Sequence, residues 1–292
     1  MYLSVIIPAY NEAQRLEATL RAVHAYLQRQ PYAAEIIVVD DGSEDGTASI
    51  VRACGGWFPP ISVLHNGRNR GKGFSVRHGF LHARGEYLLF SDADLSTPIE
   101  EVEKLLAALH EPCDIAIGSR ALRESRVEVH QPWYREHMGR LFNVFVQALA
   151  VPGIRDTQCG FKCFTREAAL ALCQRMTAEG FGFDVEMLYL ARRLGYRVRE
   201  IPVVWRNSPQ TRVRVWRDSV SMMGDLVRIR WHDLRGRYDG PTGMTRPARA
   251  RSAGEARPDS LAVADHTERS GRPGQASHGS AGATPESSVY DH

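Results

Sequence analysis

The chain has 292 residues with 37 basic and 34 acidic side chains, so its formal net charge is only +3, which excludes a dedicated polybasic protein. Hydrophobic residues make up 43% of the chain, enough for a sizeable core, which excludes a globally disordered protein. No apolar run is long enough for a membrane-spanning helix, and five irregularly spaced cysteines predict a reduced protein without a disulfide framework or a zinc site.

The predicted elements alternate between apolar strands and amphipathic helices from the third residue onward. Strands are predicted at residues 3–8, 35–40, 61–64, 86–91 and 114–118. Helices are predicted at residues 16–27, 46–54, 73–84 and 98–110. Asn11, three residues before Gln14, is the predicted N-cap of the first helix. This alternation predicts an open α/β sheet with helices on both faces.

Ligands of such sheets bind beyond the carboxyl ends of the strands, so the polar residues after each strand form the candidate site. Asp92 and Asp94 follow the strand at 86–91. Two carboxylates separated by one residue can converge on Mg²⁺ or Mn²⁺, which prefer oxygen ligands and share their coordination shell with substrate phosphates. The alternative interpretation is an Asx-type turn with two solvated acids.

Two further strand ends carry groups that suit a nucleoside. Asp40 can accept a hydrogen bond from a base N–H or a ribose hydroxyl, or it serves only a turn in which Gly42 supplies a positive φ. After the first strand, Tyr10 can pack on a base and Glu12 can bind a ribose, or both are ordinary surface residues.

Residues 68–73 form a basic, glycine-containing loop that opens a predicted helix. Helix N-termini bind phosphate, and Lys72 adds a point charge. The spacing differs from that of a Walker A loop. No GxGxxG follows the first strand, which argues against a dinucleotide-dependent oxidoreductase.

These motifs are far more specific together than any of them alone. They are VIIPAYNE at 5–12, VVDDGS at 38–43, NRGKG at 69–73, SDADLSTP at 91–98, GSR at 118–120, DTQCGFK at 156–162 and FDVE at 183–186. The set resembles glycosyltransferase family 2, the inverting enzymes of the GT-A fold, and covers residues 2–235. It is most similar to the dolichyl-phosphate (polyprenyl-phosphate) β-glucosyltransferases; the mannosyl branch usually carries Gln where this chain has Ser96. The resemblance implies a mixed, mostly parallel sheet.

The resemblance also implies a role for each matching residue. The nucleoside is held by Pro8, Tyr10, Glu12 and Asp40. The diphosphate binds at Asp92, Ala93 and Asp94 through Mg²⁺ or Mn²⁺, with Lys72 as a further positive charge. Arg120 lies near the donor, Gln158 faces the sugar or the acceptor, and Arg212 matches a basic residue of a mobile phosphate-binding loop. Asp184 and Glu186 are candidate bases if the acceptor is a hydroxyl; the alternative is that both belong to a capped helix start.

The implied function is the transfer of a single glucose from UDP-glucose to a polyprenyl phosphate at the cytosolic face of a membrane. The QxxRW motif of processive synthases is absent, which argues against polymer extension. A lipid phosphate needs no strong general base, because it is already largely ionised at neutral pH. The alternatives are a mannosyltransferase that uses GDP-mannose and a non-catalytic, membrane-associated protein that binds nucleotide sugars.

Two segments beyond these motifs bear on location and domain organisation. Residues 213–231 have the pattern of a basic amphipathic helix, which suits a cytoplasmic protein bound peripherally to a membrane but also fits a helix packed on its own domain. Its apolar stripe consists of Trp216, Val220, Met223 and Val227. Residues 239–292, rich in Gly, Pro, Ser, Ala and Arg, predict a disordered tail after a catalytic domain at 1–238. No nucleic-acid-binding module is recognisable, so nucleic acid is not an expected partner.

Overall fold

A computed structural model of the chain describes residues 1–57, 59–129, 133–207 and 215–239. Its strands are β1 (Leu3–Ala9), β2 (Ala34–Asp40), β3 (Ile61–His65), β4 (Tyr87–Ser91), β5 (Ile115–Ser119), β6 (Arg126–Val129), β7 (Phe161–Thr165), β8 (Val198–Pro202) and β9 (Val204–Arg206). Its helices are α1 (Leu16–Leu27), α2 (Thr47–Ala53), α3 (Lys72–His82), α4 (Val102–His110), α5 (Trp133–Leu149), α6 (Arg166–Cys173), α7 (Phe183–Arg193) and α8 (Val215–Leu234). A short 3₁₀ turn, Ile99–Glu101, precedes α4.

Seven strands form one sheet in the order β3-β2-β1-β4-β7-β5-β8. β7 runs antiparallel to its neighbours β4 and β5, and the other pairs are parallel. β6 and β9 pair in a small separate parallel ribbon. Because β7 reverses direction between β4 and β5, those two strands point the same way, and their carboxyl ends lie at the same edge as those of β1 and β2.

The sheet has a hydrophobic core on each face, as its unbroken apolar strands require. In β1, Val5 and Ile7 belong to one core and Ile6 to the other, because successive side chains point to opposite faces. The first core contains buried residues of α1, α2 and α4, and the second contains buried residues of α3, α5, α6, α7 and α8. The prediction of a mixed, mostly parallel sheet with helices on both faces is confirmed.

All five predicted strands are present, with each end within one residue of its predicted position. Strands β6, β7, β8 and β9 were not predicted. The first two residues of β7 are the last two of the DTQCGFK motif, but a single five-residue segment carries no signal of direction or neighbour. The prediction that Asn11 caps α1 is wrong. The helix begins at Leu16 after Arg15, and Asn11 instead has a positive φ of 55°, with its Oδ1 accepting the Glu44 N–H (2.8 Å). Asn suits both a cap and a left-handed turn, so its presence alone does not decide between them.

Some predictions fall on residues that the structure does not describe. Arg212 lies outside the described residues, as do residues 213–214 and the predicted tail beyond Asp239. Within the described part of the chain, no helix combines the length and apolar character needed to cross a membrane.

Candidate active site

The carboxyl ends of β1, β2 and β4 meet because these strands are parallel neighbours. Ala9 pairs with Asp40 and Ile6 pairs with Phe90, so the segments that follow the three strands lie side by side. Pro8 and Tyr10, at the end of β1, are partly exposed at this edge. Ligands of open α/β sheets bind at such an edge, which makes it the candidate active site.

The turn after β4 presents the two acidic side chains, Asp92 and Asp94. The Asp92 N–H donates to the Gly160 carbonyl (3.0 Å), and Asp94 Oδ1 accepts the Ser96 N–H (3.0 Å). A Cβ at Gly160 would lie 1.9 Å from Asp92 Oδ2, so a side chain at this position would displace the Asp92 carboxylate. The start of the segment that leads into β7 is thereby held directly against the carboxylate of Asp92.

Lys72, the first residue of α3, reaches across to the same turn. Its Nζ lies 2.6 Å from Asp92 Oδ1 and 5.1 Å from the centroid of the Phe90 ring. Burial alone would lower the pKa of Lys72, but the nearby Asp92 and Asp184 outweigh it, so the pKa is raised and the ammonium stays charged at neutral pH. The predicted phosphate-binding lysine therefore lies beside the predicted metal-binding carboxylate, at the N-terminus of a helix.

Glu12 and Ala93 both have partners within the protein. The Arg15 guanidinium forms a two-point ion pair with Glu12 and also approaches Asp94 Oδ2 at 3.8 Å. Ala93 is buried, and its carbonyl accepts the Thr19 hydroxyl (2.6 Å). Glu12 can still accept a ribose hydroxyl through its remaining lone pairs, whereas Ala93 shapes the turn rather than offering a side-chain contact.

The two acidic residues at the end of β2, Asp40 and Asp41, have different roles. Asp40 accepts the Ser43 N–H (3.1 Å) and faces His65 Nδ1 (3.1 Å) at the edge of the site. Both residues are buried, and Asp41 is used entirely for structure. It accepts hydrogen bonds from Asn66 Nδ2 (2.7 Å), Arg70 N–H (2.9 Å) and Gly71 N–H (2.8 Å), which fix the basic loop that leads to Lys72.

The turn between β2 and α2 needs glycine at position 42. Gly42 has a φ of 74°, as predicted, and a Cβ there would lie 2.5 Å from the backbone of Arg68. The turn and the basic loop therefore pack backbone to backbone, which no residue with a side chain permits.

Arg120, at the end of β5, is fixed by two partners. Asp156 accepts from its backbone N–H (2.9 Å), its Nε (2.7 Å) and its Nη2 (2.9 Å), and the guanidinium lies 5.3 Å from the centroid of the Trp205 ring. Burial raises the pKa of Asp156, but Arg120 outweighs burial and holds that pKa below its usual value. The result is a rigid positive charge, brought to the same edge of the sheet as Asp92.

Two polar atoms next to Asp156 are buried without a hydrogen-bond partner in the described part of the chain: Thr157 Oγ1 and Gln158 Nε2. A buried donor without a partner costs free energy, so such groups in native proteins usually serve a water, an ion or a ligand. Gln158 was predicted to face the sugar or the acceptor, and an Nε2 donor without a protein partner fits that role.

Asp184, one of the two candidate bases, is buried. It forms an ion pair with Lys162, which is fully buried and also donates to the Cys159 carbonyl (2.5 Å). Burial raises the pKa of Asp184, while Lys162 and Lys72 oppose the rise. The alternative interpretation is correct about a helix start, since α7 begins at Phe183 with Asp184 and Glu186 in its first turn, but its N-cap residue Gly182 supplies no side-chain cap.

The residues at the Asp92–Asp94 turn fit a hard divalent cation. In the residues that the structure describes, no group of three or more His, Cys, Asp or Glu side chains could hold a metal by itself. The Asp92 and Asp94 side chains keep 33% and 18% of their surface exposed. Mg²⁺ and Mn²⁺ suit such a pair, because they retain waters and take further ligands from substrate phosphates.

Sequence reasoning missed three residues that build this site: Asp156, Lys162 and Trp205. Asp156 and Lys162 stand in the quoted DTQCGFK motif, and two ionisable residues near Gln158 were a usable signal. No sequence motif pointed to Trp205, because its position beside Arg120 depends on the pairing of β6 with β9.

Comparison with known proteins identifies the family. The model of "Glycosyl transferase family 2" matches residues 4–172. The dolichyl-phosphate beta-glucosyltransferase of Dictyostelium discoideum is 39% identical over 248 residues, covering 81% of this chain and 76% of that protein. The enzyme of the same name from Saccharomyces cerevisiae is 36% identical over 258 residues, covering 82% and 77%.

Solved structures show the same fold at lower identity. Glucosyl-3-phosphoglycerate synthase from Mycobacterium tuberculosis, crystallised with Mn²⁺, UDP-glucose and phosphoglyceric acid, matches with a TM-score of 0.59 and 19% identity over 78% of this chain and 79% of that one. With the family model over more than half of the sequence and relatives above 35% identity over most of both chains, the chain belongs to glycosyl transferase family 2 and is similar to dolichyl-phosphate β-glucosyltransferases.

Proposed function

We propose that the protein transfers one glucose from UDP-glucose to a polyprenyl phosphate, with inversion and with the help of Mg²⁺ or Mn²⁺. The observation that carries the proposal is the pair Asp92 and Asp94 facing Lys72 at the N-terminus of α3. A diphosphate needs this combination of a cation site, a helix N-terminus and a positive side chain. The named activity of the relatives supports glucose as the sugar and a dolichyl-type phosphate as the acceptor.

The donor fits along the edge of the sheet. The nucleoside lies over the ends of β1 and β2, where Tyr10 offers a ring and Asp40 and Glu12 offer acceptors. The diphosphate lies at Asp92, Asp94 and Lys72. The sugar then points toward Gln158, whose Nε2 can donate a hydrogen bond to a sugar hydroxyl. Arg212 remains a predicted phosphate ligand.

The site can stabilise the negative charge that develops during the reaction. As the bond to glucose breaks, negative charge develops on the departing diphosphate, and Lys72 and Arg120 are positioned to stabilise it. A divalent cation held by Asp92 and Asp94 would supply further neutralisation of that charge. The helix and the Asp156 contact hold both basic groups before the reaction, so little reorganisation is needed.

No strong base is needed if the acceptor is a phosphate. Its oxygen is already ionised at neutral pH and attacks the anomeric carbon directly. Asp184, a candidate base for a hydroxyl acceptor, is committed to Lys162 in the interior. We therefore assign Asp184 to holding the DTQCGFK segment in place through Lys162.

We further propose that α8 and α5 hold the enzyme at the cytosolic surface of a membrane. The two helices contact each other, and α8 exposes Val227, Trp231 and Leu234 at 67%, 47% and 82% while burying Leu226 and Ile229. Exposed apolar residues on α5 are Val144, Phe145 and Leu149. Apolar side chains that face away from the core, next to Arg228 and Arg230, suit the headgroup region of an anionic bilayer.

The acceptor chemistry is tested by offering UDP-[¹⁴C]glucose with either polyprenyl phosphate or the unphosphorylated polyprenol. We expect labelled lipid from the phosphate alone, and no difference in acceptor choice for an Asp184→Asn variant that remains folded. Equal labelling of the alcohol would contradict the proposal, since the site would then have to activate a hydroxyl.

A further inference from the structure

Both predicted metal carboxylates already contact a basic side chain. Lys72 Nζ lies 2.6 Å from Asp92 Oδ1, and Arg15 Nη1 lies 3.8 Å from Asp94 Oδ2. Arg15 is anchored by its ion pair with Glu12. A cation that binds here has to share or displace these positive groups.

Lys72 has few alternatives once it leaves Asp92. Two other carboxylates influence it: Asp184 is buried and paired with Lys162, and Asp94 already has Arg15 beside it at 3.8 Å. The Lys72 side chain is itself only 22% exposed. An ammonium without a partner in such surroundings is costly, so Asp92 and Lys72 stabilise each other.

We infer that Lys72 competes with the divalent cation for Asp92 and so makes metal binding depend on the diphosphate. A cation alone would displace Lys72 from its partner and add positive charge beside it. A diphosphate gives Lys72 new acceptors and gives the cation new ligands, so cation and donor bind together. The inference rests on the proposed function in that it requires a nucleoside diphosphate as the ligand.

The coupling has to be reciprocal. If UDP raises the affinity for the cation through Lys72, the cation raises the affinity for UDP by the same factor. Removing the charge of Lys72 should weaken the coupling from both sides. If Lys72 had only a structural role, its replacement would change the affinities for the cation and for UDP. It would not change the factor by which each ligand raises the affinity for the other.

The test is Mn²⁺ binding to the full chain, measured by electron paramagnetic resonance of the free ion, with and without UDP. We expect the wild type to bind Mn²⁺ weakly alone and much more tightly with UDP. Lys72→Met should bind Mn²⁺ alone at least about tenfold more tightly, the scale expected for one charge beside a partly buried carboxylate. The enhancement by UDP should shrink in this variant, and Lys72→Arg should behave like the wild type.

Arg70→Gln is the matched control. It removes a positive charge from the same loop, but that charge pairs with Glu179 rather than with Asp92, so Mn²⁺ affinity should stay unchanged. Thermal unfolding of each variant checks that it is folded.

Unchanged Mn²⁺ affinity in folded Lys72→Met would overturn the inference, and so would undetectable Mn²⁺ binding in both wild type and variant without UDP. Tight binding of Mn²⁺ alone to the wild type would overturn it as well. If neither the wild type nor any variant binds Mn²⁺ even with UDP, the proposed nucleotide-sugar donor is refuted and the inference with it. If Mn²⁺ and UDP bind together but Lys72→Met has no effect, only the inference is refuted.

Discussion

The structure shows contacts of Asp92 that its sequence motif does not predict. The sequence places Asp92 and Asp94 after a strand and predicts a cation site from their spacing alone. It does not show that Gly160 and Lys72 both press against Asp92, because these residues lie 68 and 20 positions away in the chain. Contacts over such separations depend on the sheet order, which a single sequence does not reveal.

Asp94→Ala should lower turnover by at least about a hundredfold, because it removes one of the two carboxylates that hold the cation. The measurement is the rate of glucosyl-lipid formation in the presence of Mg²⁺ or Mn²⁺. Glu111→Ala is the matched control, since Glu111 is an exposed acid that pairs with Arg199 on the surface. Full activity of Asp94→Ala, or of the wild type in excess EDTA, would refute the metal role.

His232 gives the protein a pH dependence of stability. Burial lowers its pKa, helped by Arg237 and Arg228 and opposed by Glu186. In the unfolded chain His232 titrates near its ordinary value of about 6.5, so below that pH the unfolded state binds more protons than the folded state. Stability therefore falls as the pH falls through this range.

The prediction is that lowering the pH from 7.5 to 5.5 reduces the melting temperature less in His232→Gln than in the wild type. His78, whose pKa is also lowered, acts equally in both proteins, so the difference between them isolates His232. An identical pH dependence in the two proteins would show that His232 does not titrate on unfolding.

At the scale of elements, the strand ends and helix spacings were predictable because each is a local pattern. The five predicted strands and α1 appear at their predicted positions, whereas the antiparallel β7, the parallel edge strand β8 and the ribbon of β6 and β9 were not predicted. The apolar stripe predicted for α8 was also only partly informative. Val227 of that stripe is exposed, whereas Met223 packs against the core, where Leu226 and Ile229 are the buried residues of α8.

The segment after α8 is part of the core. Tyr238 is 1% exposed, and its hydroxyl donates to the buried Glu186 (2.7 Å). Glu186 also accepts the N–H groups of Thr177 (2.9 Å) and Ala178 (2.7 Å). The next residue, Glu179, accepts the Phe74 N–H of α3 at its carbonyl. The end of the domain thus supports the segment that packs on the helix of Lys72.

Two truncated chains test this boundary. A chain that ends at Asp239 should melt within about 5 °C of the full chain, because the composition of 240–292 predicts no packed core. A chain that ends at Arg235 should melt about 10 °C lower, since it loses a buried aromatic side chain and leaves Glu186 without one of its donors. A large drop for the first chain would mean that the tail packs on the domain, and no drop for the second would mean that Tyr238 contributes nothing.

For the whole molecule, the open point is how a protein without a described spanning helix meets a lipid acceptor. Replacing Val227, Trp231 and Leu234 with Ser should reduce flotation with anionic vesicles without lowering the melting temperature, because these side chains face away from the core. Leu81→Ser is the matched control, as Leu81 is an exposed apolar residue on α3. Unchanged flotation of the triple variant would show that α8 is not the membrane contact.

Replacing the arginines of this region is a less direct test. We expect Gln at Arg214, Arg217, Arg228 and Arg230 to weaken binding to anionic vesicles, by about 1 kcal/mol for each charge near the surface. However, Arg230 donates to the Tyr189 hydroxyl (3.1 Å), and Arg228 pairs with Asp225 (3.3 Å). A loss of binding therefore counts only if the melting temperature is unchanged.

The central claim is that this site moves glucose, and not mannose, from its nucleotide to a lipid phosphate. The most direct measurement mixes purified protein, polyprenyl phosphate and Mg²⁺ with equal amounts of UDP-[¹⁴C]glucose and GDP-[³H]mannose and counts both labels in the extracted lipid. We predict ¹⁴C in the lipid, no ³H above background, and neither label when Asp94→Ala replaces the wild type. Transfer of ³H would identify the protein as a mannosyltransferase, and the absence of both labels would contradict a catalytic role.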